Sequence, residues 1–518
     1  MARFDAACPT EEMALPAAHP LLYQVNTRVL LAGITRARGQ VAASDDTPVH
    51  SAGFDDIPDA ALHAIAALGF DWVWFLGVWQ TGAAARAISR GNPTWQDGFR
   101  QALPDMTQAD ICGSPFAITD YQAEAAFGGN DALARLRRRV NQAGLRLLLD
   151  FVPNHMAPDH PWVSDKPSLF IQGTEADLAA EPANWIRVAT AQGPAILAHG
   201  RDPYFPGWAD TVQLDYANPD TQAAMGAILL DIAGRCDGLR CDMAMLLLPD
   251  VFERCWATHL HGRHVAPFWS DTIPRVRAAH PDFRLMAEVY WNLEATLLGQ
   301  GFDYAYDKGL YDALVAADAG RVRDLLAADV GHQSHLVRFL ENHDEPRAAA
   351  SFEPPRHKAA AVLTFCAPGL RLMHQGQLEG ARVHIPIHLN RGPEEGIDPD
   401  IHAFYLDLLS VLRDPVLRDG SFEALAVRQA WEGNPSHEAF SASIWSDDTG
   451  PRLLCVVNYR ADRGQCRVRV VHPSLAGRLI SLSDQLGLEH YARDGDLLAG
   501  EGLYLDLPGW GYNLFAIS

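Results

Sequence analysis

The chain has 518 residues, 48% of them hydrophobic and 9% aromatic, enough to bury a large core and too many for a disordered polymer. Its 42 Lys and Arg face 64 Asp and Glu, a formal charge of -22, which repels phosphate backbones and anionic membranes and suits neutral substrates. The cysteines show no paired spacing, no apolar run is long enough to span a bilayer, and residues 1–20 lack the apolar region of a secretory signal, so a cytoplasmic protein without nucleic-acid or membrane partners is expected.

Leu21 to Asn26 reads as a first strand. A polar loop from Gln40 to Ser51 leads to a helix that starts near Asp56 and Pro58, lines up Leu62, Ile65 and Leu68, and stops at Gly69. Asp71 to Gly77 forms a second strand. Asn130 is placed to cap a helix carrying Leu133, Leu136 and Val140 at helical spacing, and after Gly144 the run Leu145 to Asp150 makes a third strand, apolar nearly throughout. Continuous apolar strands between amphipathic helices predict a parallel sheet covered on both faces.

From His155 to about Val212 the rhythm breaks into a Pro-, Trp-, Asp- and Gly-rich stretch, read as an inserted subdomain or lid. Alternation resumes at Gly238, then at Phe283 to Glu288, Phe302 to Tyr306, Leu336 to Glu341 and Gly369 to His374. Eight strands is the number that closes a parallel (β/α)8 TIM barrel. After about Gly420, alternating runs such as Leu453 to Tyr459 and Cys466 to Val471 indicate a C-terminal antiparallel β-sandwich. The expected division is therefore 1–154 and 213–419 for the barrel, 155–212 for the insertion and 420–518 for the sandwich.

The stretch Cys236 to Leu248 organises the chemistry. Its first half reads as a buried strand and its second half as the opening of an apolar helix. Residues two apart on a strand point the same way, so Arg240 and Asp242 project together, and a guanidinium beside a carboxylate favours the ionised acid. In a barrel, reacting groups collect where strands end at the C-terminal face. Asp150, Asp242, Glu288 and the run Glu341-Asn342-His343-Asp344 occupy such places. Glu288 follows Leu285-Met286-Ala287 and precedes Val289-Tyr290-Trp291, an apolar setting that favours its protonated form. An ionised and a protonated carboxyl together are the pairing that glycoside hydrolysis uses. A salt-bridged strand end is the bland alternative for Arg240 and Asp242, and a metal site from His155, His343 and Asp344 is another, although adjacent His and Asp lack the usual ligand spacing.

Leu149 to His155, Gly238 to Asp242, Ala287 to Val289 and Phe339 to Asp344 resemble the four ordered signature regions of the α-amylase family, and Gln213-Leu214-Asp215 resembles a fifth. The resemblance implies a (β/α)8 barrel with an insertion after strand three and a C-terminal β-domain, and retaining chemistry on α-glucosidic bonds of glucans or oligosaccharides. It implies Asp242 as nucleophile, Glu288 as acid/base and Asp344 as transition-state stabiliser, with Asp150, Arg240, His155 and His343 around the sugar. Retention also implies nucleophile and acid carboxyls about 5–5.5 Å apart. Gly113 to Tyr121 resembles the loop that stacks a ring beneath the reacting sugar; Phe116 stands where the family usually has tyrosine, which keeps the face and loses the hydroxyl.

Where many starch-degrading relatives carry Lys-His after the nucleophile, this chain has Met245 and Leu246, either a change of acceptor or simple packing. Trp79 with Gln80, and Trp162, are candidate sugar platforms; His384 and His388 read as structural. Calcium, bound by many relatives near the insertion, finds only Asn154 and Asp215 as candidate oxygens, short of the six to eight it takes, so no metal or cofactor is expected. A hydrolase is the leading expectation, a transglycosylase using the same covalent intermediate the second, and a non-catalytic carbohydrate-binding barrel the third.

Overall fold

The computed structural model describes residues 17–39 and 52–518; the loop expected over Gln40 to Ser51 and most of the first twenty residues lie outside them. Eight parallel strands close a barrel: β1 (Leu21–Asn26), β2 (Trp72–Leu76), β3 (Arg146–Phe151), β4 (Gly238–Cys241), β5 (Arg284–Ala287), β6 (Tyr304–Tyr306), β7 (Leu336–Arg338) and β8 (Leu370–His374). Each pairs with the next, and β8 returns to β1 with Arg371 opposite Leu21 and His374 opposite Gln24. These are the eight runs expected from the sequence, shortened at several ends. The run from Leu336 leaves the sheet after Arg338, so Glu341 lies beyond its strand.

The strands form because both their faces are covered. Every residue of β2 and of β3 is buried, and each fully buried large apolar side chain contributes roughly 1.5–3 kcal/mol. A helix at Thr27–Ala37, not anticipated from the sequence, follows β1 directly. Its β-branched residues and Gly33 disfavour a helix, but Asn26 Oδ1 accepts the Val29 N–H at 3.3 Å, and Leu31, Ala32 and Thr35 bury one face. The expected helix before β2 is present at Asp59–Ala67. The next one, Gly129–Gln142, is not capped by Asn130: it starts after Gly128 in the left-handed conformation, and Asn130 Oδ1 instead accepts the Ala123 N–H at 2.8 Å. After β4 the apolar run makes only a 3-10 turn, Ala244–Leu247; the helix begins at Pro249, which pre-sets its first turn.

Two excursions leave the C-terminal rim. After β2, Trp79–Thr81 pairs antiparallel with Ile118–Ala123, enclosing helices Ala83–Gly91 and Pro93–Ala102. After β3, His155–Met156 pairs antiparallel with Val212–Gln213, so the second excursion departs and returns at one place. Between them lies a hairpin, Trp185–Thr190 with Gly193–Ala198.

The C-terminal part is a six-stranded antiparallel sheet faced by a three-stranded one. Alternate residues of the larger sheet serve two cores. Ile444, Leu454, Val456 and Phe515 face the smaller sheet, while Trp445, Leu453, Cys455, Val457 and Leu514 join the barrel core. Trp445 Nε1 donates to the Cys366 carbonyl and Tyr459 Oη to the Leu314 carbonyl, both at 2.8 Å. No helix among the described residues is long and apolar enough to cross a membrane.

Candidate active site

Arg240, in β4, is the centre of the rim. Only 1% of its side chain is exposed, and a buried cation persists only where anions compensate it. Four carboxyl groups surround it. Nη1 donates to Asp242 Oδ1 and Nη2 to Glu288 Oε2, each at 2.7 Å, and Asp150 lies 3.9 Å from Nη1. Asp344 Oδ2 is 3.9 Å from Nη2. Its planar fork cannot rotate without breaking both short bonds. Asp242 and Glu288, bonded to the two ends of one guanidinium, are therefore fixed neighbours.

Burial is the largest influence on Glu288 and pushes its carboxyl up to about 8, helped by the charges of Asp242 and Asp344 and opposed by Arg240. The Met243 N–H donates to Glu288 Oε2 at 2.6 Å and the Tyr290 hydroxyl to Oε1 at 2.9 Å. Met243 achieves this in the left-handed region, φ 43°, a conformation costly for a side chain of its size and characteristic of functional sites. Asp344, with 37% of its side chain exposed, is the open one of the three acids.

Asp242, Glu288, Asp344, Arg240, His155 and Phe116 line one cavity of about 290 Å³. The Phe116 ring lies 5.1 Å from the Arg240 guanidinium carbon and 5.5 Å from the His343 ring. His343 sits behind that wall, its Nδ1 2.8 Å from Gln24 Nε2 and its Nε2 3.0 Å from Asp344 Oδ2. Burial holds both His155 and His343 below the ordinary imidazole range, so both are neutral at pH 7. His155 Nε2 is buried without a protein partner, a group ready for a ligand hydroxyl.

Two further expected sugar contacts, Asp150 and Trp79, lie outside the cavity wall as His343 does. Asp150 accepts from Trp74 Nε1 at 3.2 Å and the Gly77 N–H at 2.9 Å, and Trp79 donates from Nε1 to the Asp150 carbonyl at 2.7 Å. Both are at most 1% exposed; they support Arg240 and β3 rather than face the cavity. Gly77 is required here: its φ is +74°, and a Cβ on it would stand 2.6 Å from Pro115 Cβ in the loop that carries Phe116. Glu341 also turns away, pairing with Arg347 at 2.6 Å. Met245 and Leu246 are buried in the core, as their packing alternative had it.

Other lining residues escaped the sequence reading. Met243 and Tyr290 adjoin recognised acids and could have been found by proximity. Trp208, Asp210 and Thr211 come from the aperiodic insertion, and Trp95 from the unassigned helices after β2. His388, read as structural, faces the cavity, whereas His384 braces the site by placing Nε2 2.8 Å from the His343 carbonyl. Asp210 Oδ2 is buried without a partner, and burial raises its carboxyl to about 6. The two oxygens considered for calcium are engaged: Asn154 Oδ1 accepts from Gln213 Nε2 at 3.0 Å, and Asp215 Oδ2 pairs with Arg263 at 2.6 Å. A guanidinium thus already neutralises Asp215, and the pair does not fit a calcium ion. Nor do His155, His343 and Asp344 gather as ligands; among the described residues no three His, Cys, Asp or Glu are grouped to hold a metal.

Residues 64–300 match the family described as the α-amylase catalytic domain. Among curated proteins the chain is 25% identical over 289 residues to an α-amylase of Haloarcula japonica, covering 54% of this chain and 38% of that one. It is 28% identical over 272 residues to an α-1,4-glucan:maltose-1-phosphate maltosyltransferase of Burkholderia pseudomallei, covering 51% and 20%. The chain thus spans less than half the length of these two relatives. Among solved structures, a maltogenic α-amylase of Thermotoga neapolitana superposes with a TM-score of 0.66 at 16% identity over 96% of this chain and 98% of the other. An α-amylase of Lactobacillus plantarum gives 0.64 at 20% identity over 96% and 99%. At these identities the superpositions establish the fold.

Proposed function

Because residues 64–300 match the α-amylase catalytic domain, we propose that this chain is a member of the α-amylase family and cleaves α-glucosidic bonds of glucans or oligosaccharides with retention, through a covalent glycosyl-Asp242 intermediate. The observation that carries this reading is the single guanidinium of Arg240 tying Asp242 and Glu288 together in the cavity wall, with Asp344 beside them. Retaining glycosidases place nucleophile and acid about 5–5.5 Å apart, and neighbours on one fork suit that spacing.

In the first step an Asp242 oxygen bonds to the anomeric carbon while the glycosidic C–O bond breaks and Glu288 gives its proton to the departing oxygen. The raised carboxyl of Glu288 keeps that proton available at neutral pH. Asp344 and Arg240 balance the positive charge that develops on the ring and the charge transferred to and from Asp242. Phe116 offers a face for the ring, and His155 a nitrogen for a hydroxyl. In the second step an acceptor hydroxyl passes its proton to Glu288, its oxygen bonds to the anomeric carbon, and the Asp242 ester breaks.

Water as acceptor makes the protein a hydrolase. A sugar as acceptor makes it a transglycosylase, and Met243 and Tyr290 beside Glu288 favour this second reading, because a wall of such side chains holds sugar faces better than water. Maltotriose separates the two: net release of reducing ends marks hydrolysis, longer products without net release mark transfer. A cytoplasmic setting belongs to the same reading, in keeping with cysteines scattered without paired spacing.

Asp242→Asn tests the nucleophile. It should lower kcat by roughly three orders of magnitude or more, as loss of a covalent nucleophile does elsewhere, with an unchanged circular-dichroism spectrum. A 2-deoxy-2-fluoro glucosyl fluoride should add its sugar mass to the peptide containing Asp242. Labelling of any other residue would remove the assignment.

A further inference from the structure

The cavity has two walls, separable by their bonding. Met243 and Tyr290 both bond to Glu288 and so flank the departing oxygen. The lining also includes Trp95, Ile387 and His388, which form a second wall beside the loop that bears Phe116. Trp95 comes from helix Pro93–Ala102 in the excursion after β2; Ile387 and His388 come from the segment after β8. The loop bearing Phe116 is tied to them, since the Cys112 N–H donates to the His388 carbonyl at 2.8 Å.

This second wall is built rigidly. The His388 ring lies 4.7 Å from the Trp95 ring, only 31° from parallel, and its Nδ1 is 3.0 Å from Ser89 Oγ. Behind it the two segments are clamped by Arg391, whose Nε meets the buried Asp110 at 2.7 Å, and by the Asn390 N–H donating to the Asp110 carbonyl at 3.0 Å. Phe99, Leu103, Ile111 and Leu389 fill the space between them as a separate small core. Nothing in this arrangement is a loose loop tip. The cavity it bounds, about 290 Å³, is at the small end for ligand sites, which run from about 300 to 1,000 Å³.

A glucan cut internally must leave the donor position on both sides, past Glu288 toward the leaving group and again through the donor ring's own O4. A terminal ring needs room on the first side only. We propose that the Trp95–His388 wall closes the donor side, so that the protein acts at the non-reducing end of its substrate and takes one terminal glucosyl unit per turnover. This rests on the glucosidic reading of the site given above, and adds to it the mode of attack that the acids themselves leave open.

The test uses the full-length protein and two substrates, 4-nitrophenyl maltopentaoside and the same compound with its terminal O4 and O6 blocked by a benzylidene group. Products are separated by chromatography and identified by mass. The free pentaoside should shorten one glucose at a time, and the blocked one should react at least 100-fold more slowly. Internal cleavage of the blocked compound at a comparable rate overturns the proposal. Inertness toward both pentaosides and toward a panel of aryl α-glucosides overturns the glucosidic reading itself, and the proposal with it. The double variant Trp95→Ala/Ile387→Ala, shown folded by its circular-dichroism spectrum, should raise the blocked-to-free rate ratio at least tenfold. A ratio that stays where it was would show that the wall is not the obstacle, and would likewise overturn the inference.

Discussion

Glu288 holds its proton because its surroundings are dry and negative, even though Arg240, Met243 and Tyr290 all donate to it. A carboxyl raised to about 8 should give kcat/KM an alkaline limb near pH 8, where the donor form disappears. Glu288→Gln should lose that limb, and with it roughly 10²- to 10⁴-fold in rate on maltooligosaccharides. Glucosyl fluoride, whose leaving group departs without a proton, should lose far less in the first step. Asp210 makes a different prediction. Its carboxyl, raised from 3.8 to about 6 by burial, stabilises the fold fully below about pH 4, and that contribution is lost as pH rises through about 6. The charged form at pH 8 therefore costs on the order of 2–3 kcal/mol. Asp210→Asn should raise Tm at pH 8 and leave it nearly unchanged at pH 4. It should also raise KM about tenfold, because the amide is a weaker acceptor for a sugar hydroxyl than the partnerless carboxylate oxygen. A lower Tm at pH 8 would contradict the burial argument.

At the scale of elements, the site depends on how closely its loops approach the strands. Gly77 ends β2 with a left-handed turn, donates to Asp150 and lies under Pro115. Gly77→Ala should cost about 1–3 kcal/mol, from the unfavourable φ and the contact with Pro115, and should raise KM by displacing the loop that carries Phe116. Thermal melting and steady-state kinetics check both effects. The parts of the site that were legible in the sequence are those attached to strands. Asp242 and Glu288 directly follow β4 and β5, whose pattern marks where a strand stops, and Arg240 shares a face with Asp242 by simple alternation. Asp344 lies six residues beyond the end of β7 and is legible only through the family resemblance of the run Phe339 to Asp344. Trp95, Asp210 and His388 were not legible. They reach the cavity on excursions whose direction is set by long-range pairings such as Ile111 with Leu389, and no local period encodes such a pairing. Asp150 and Trp79 misled for the converse reason. Each occupies a plausible place along its strand, but hydrogen bonds to Trp74, Gly77 and one another turn them away from the cavity. The run Met243 to Leu248 is apolar enough for a helix, yet Met243 in the left-handed region and Pro249 at N1 divide it into a turn and a later start.

At the scale of the molecule, the larger C-terminal sheet belongs to two cores at once, so the barrel and the sandwich should unfold together. Calorimetry should show one transition, with activity and ellipticity lost at the same temperature; two separated transitions would mean that the shared core is not cooperative. The contact falls at a particular place. Trp445 stacks edge-on against His19 at 5.1 Å and lies 5.8 Å from the guanidinium carbon of Arg371 in β8, while Arg371 donates to the His19 and Leu417 carbonyls at 2.8 Å each. This is where β1 meets β8, elements separated by some 350 residues, the most distant pairing in the ring and the one with the largest closure entropy. Trp445 thus acts as a clasp that chain order delivers after every stave is already in place. During synthesis the seam between β1 and β8 lacks this clasp until Trp445 has emerged, and nascent chains halted near residue 430 should be cut readily by protease at the strands on either side of that seam, whereas the 518-residue chain should resist.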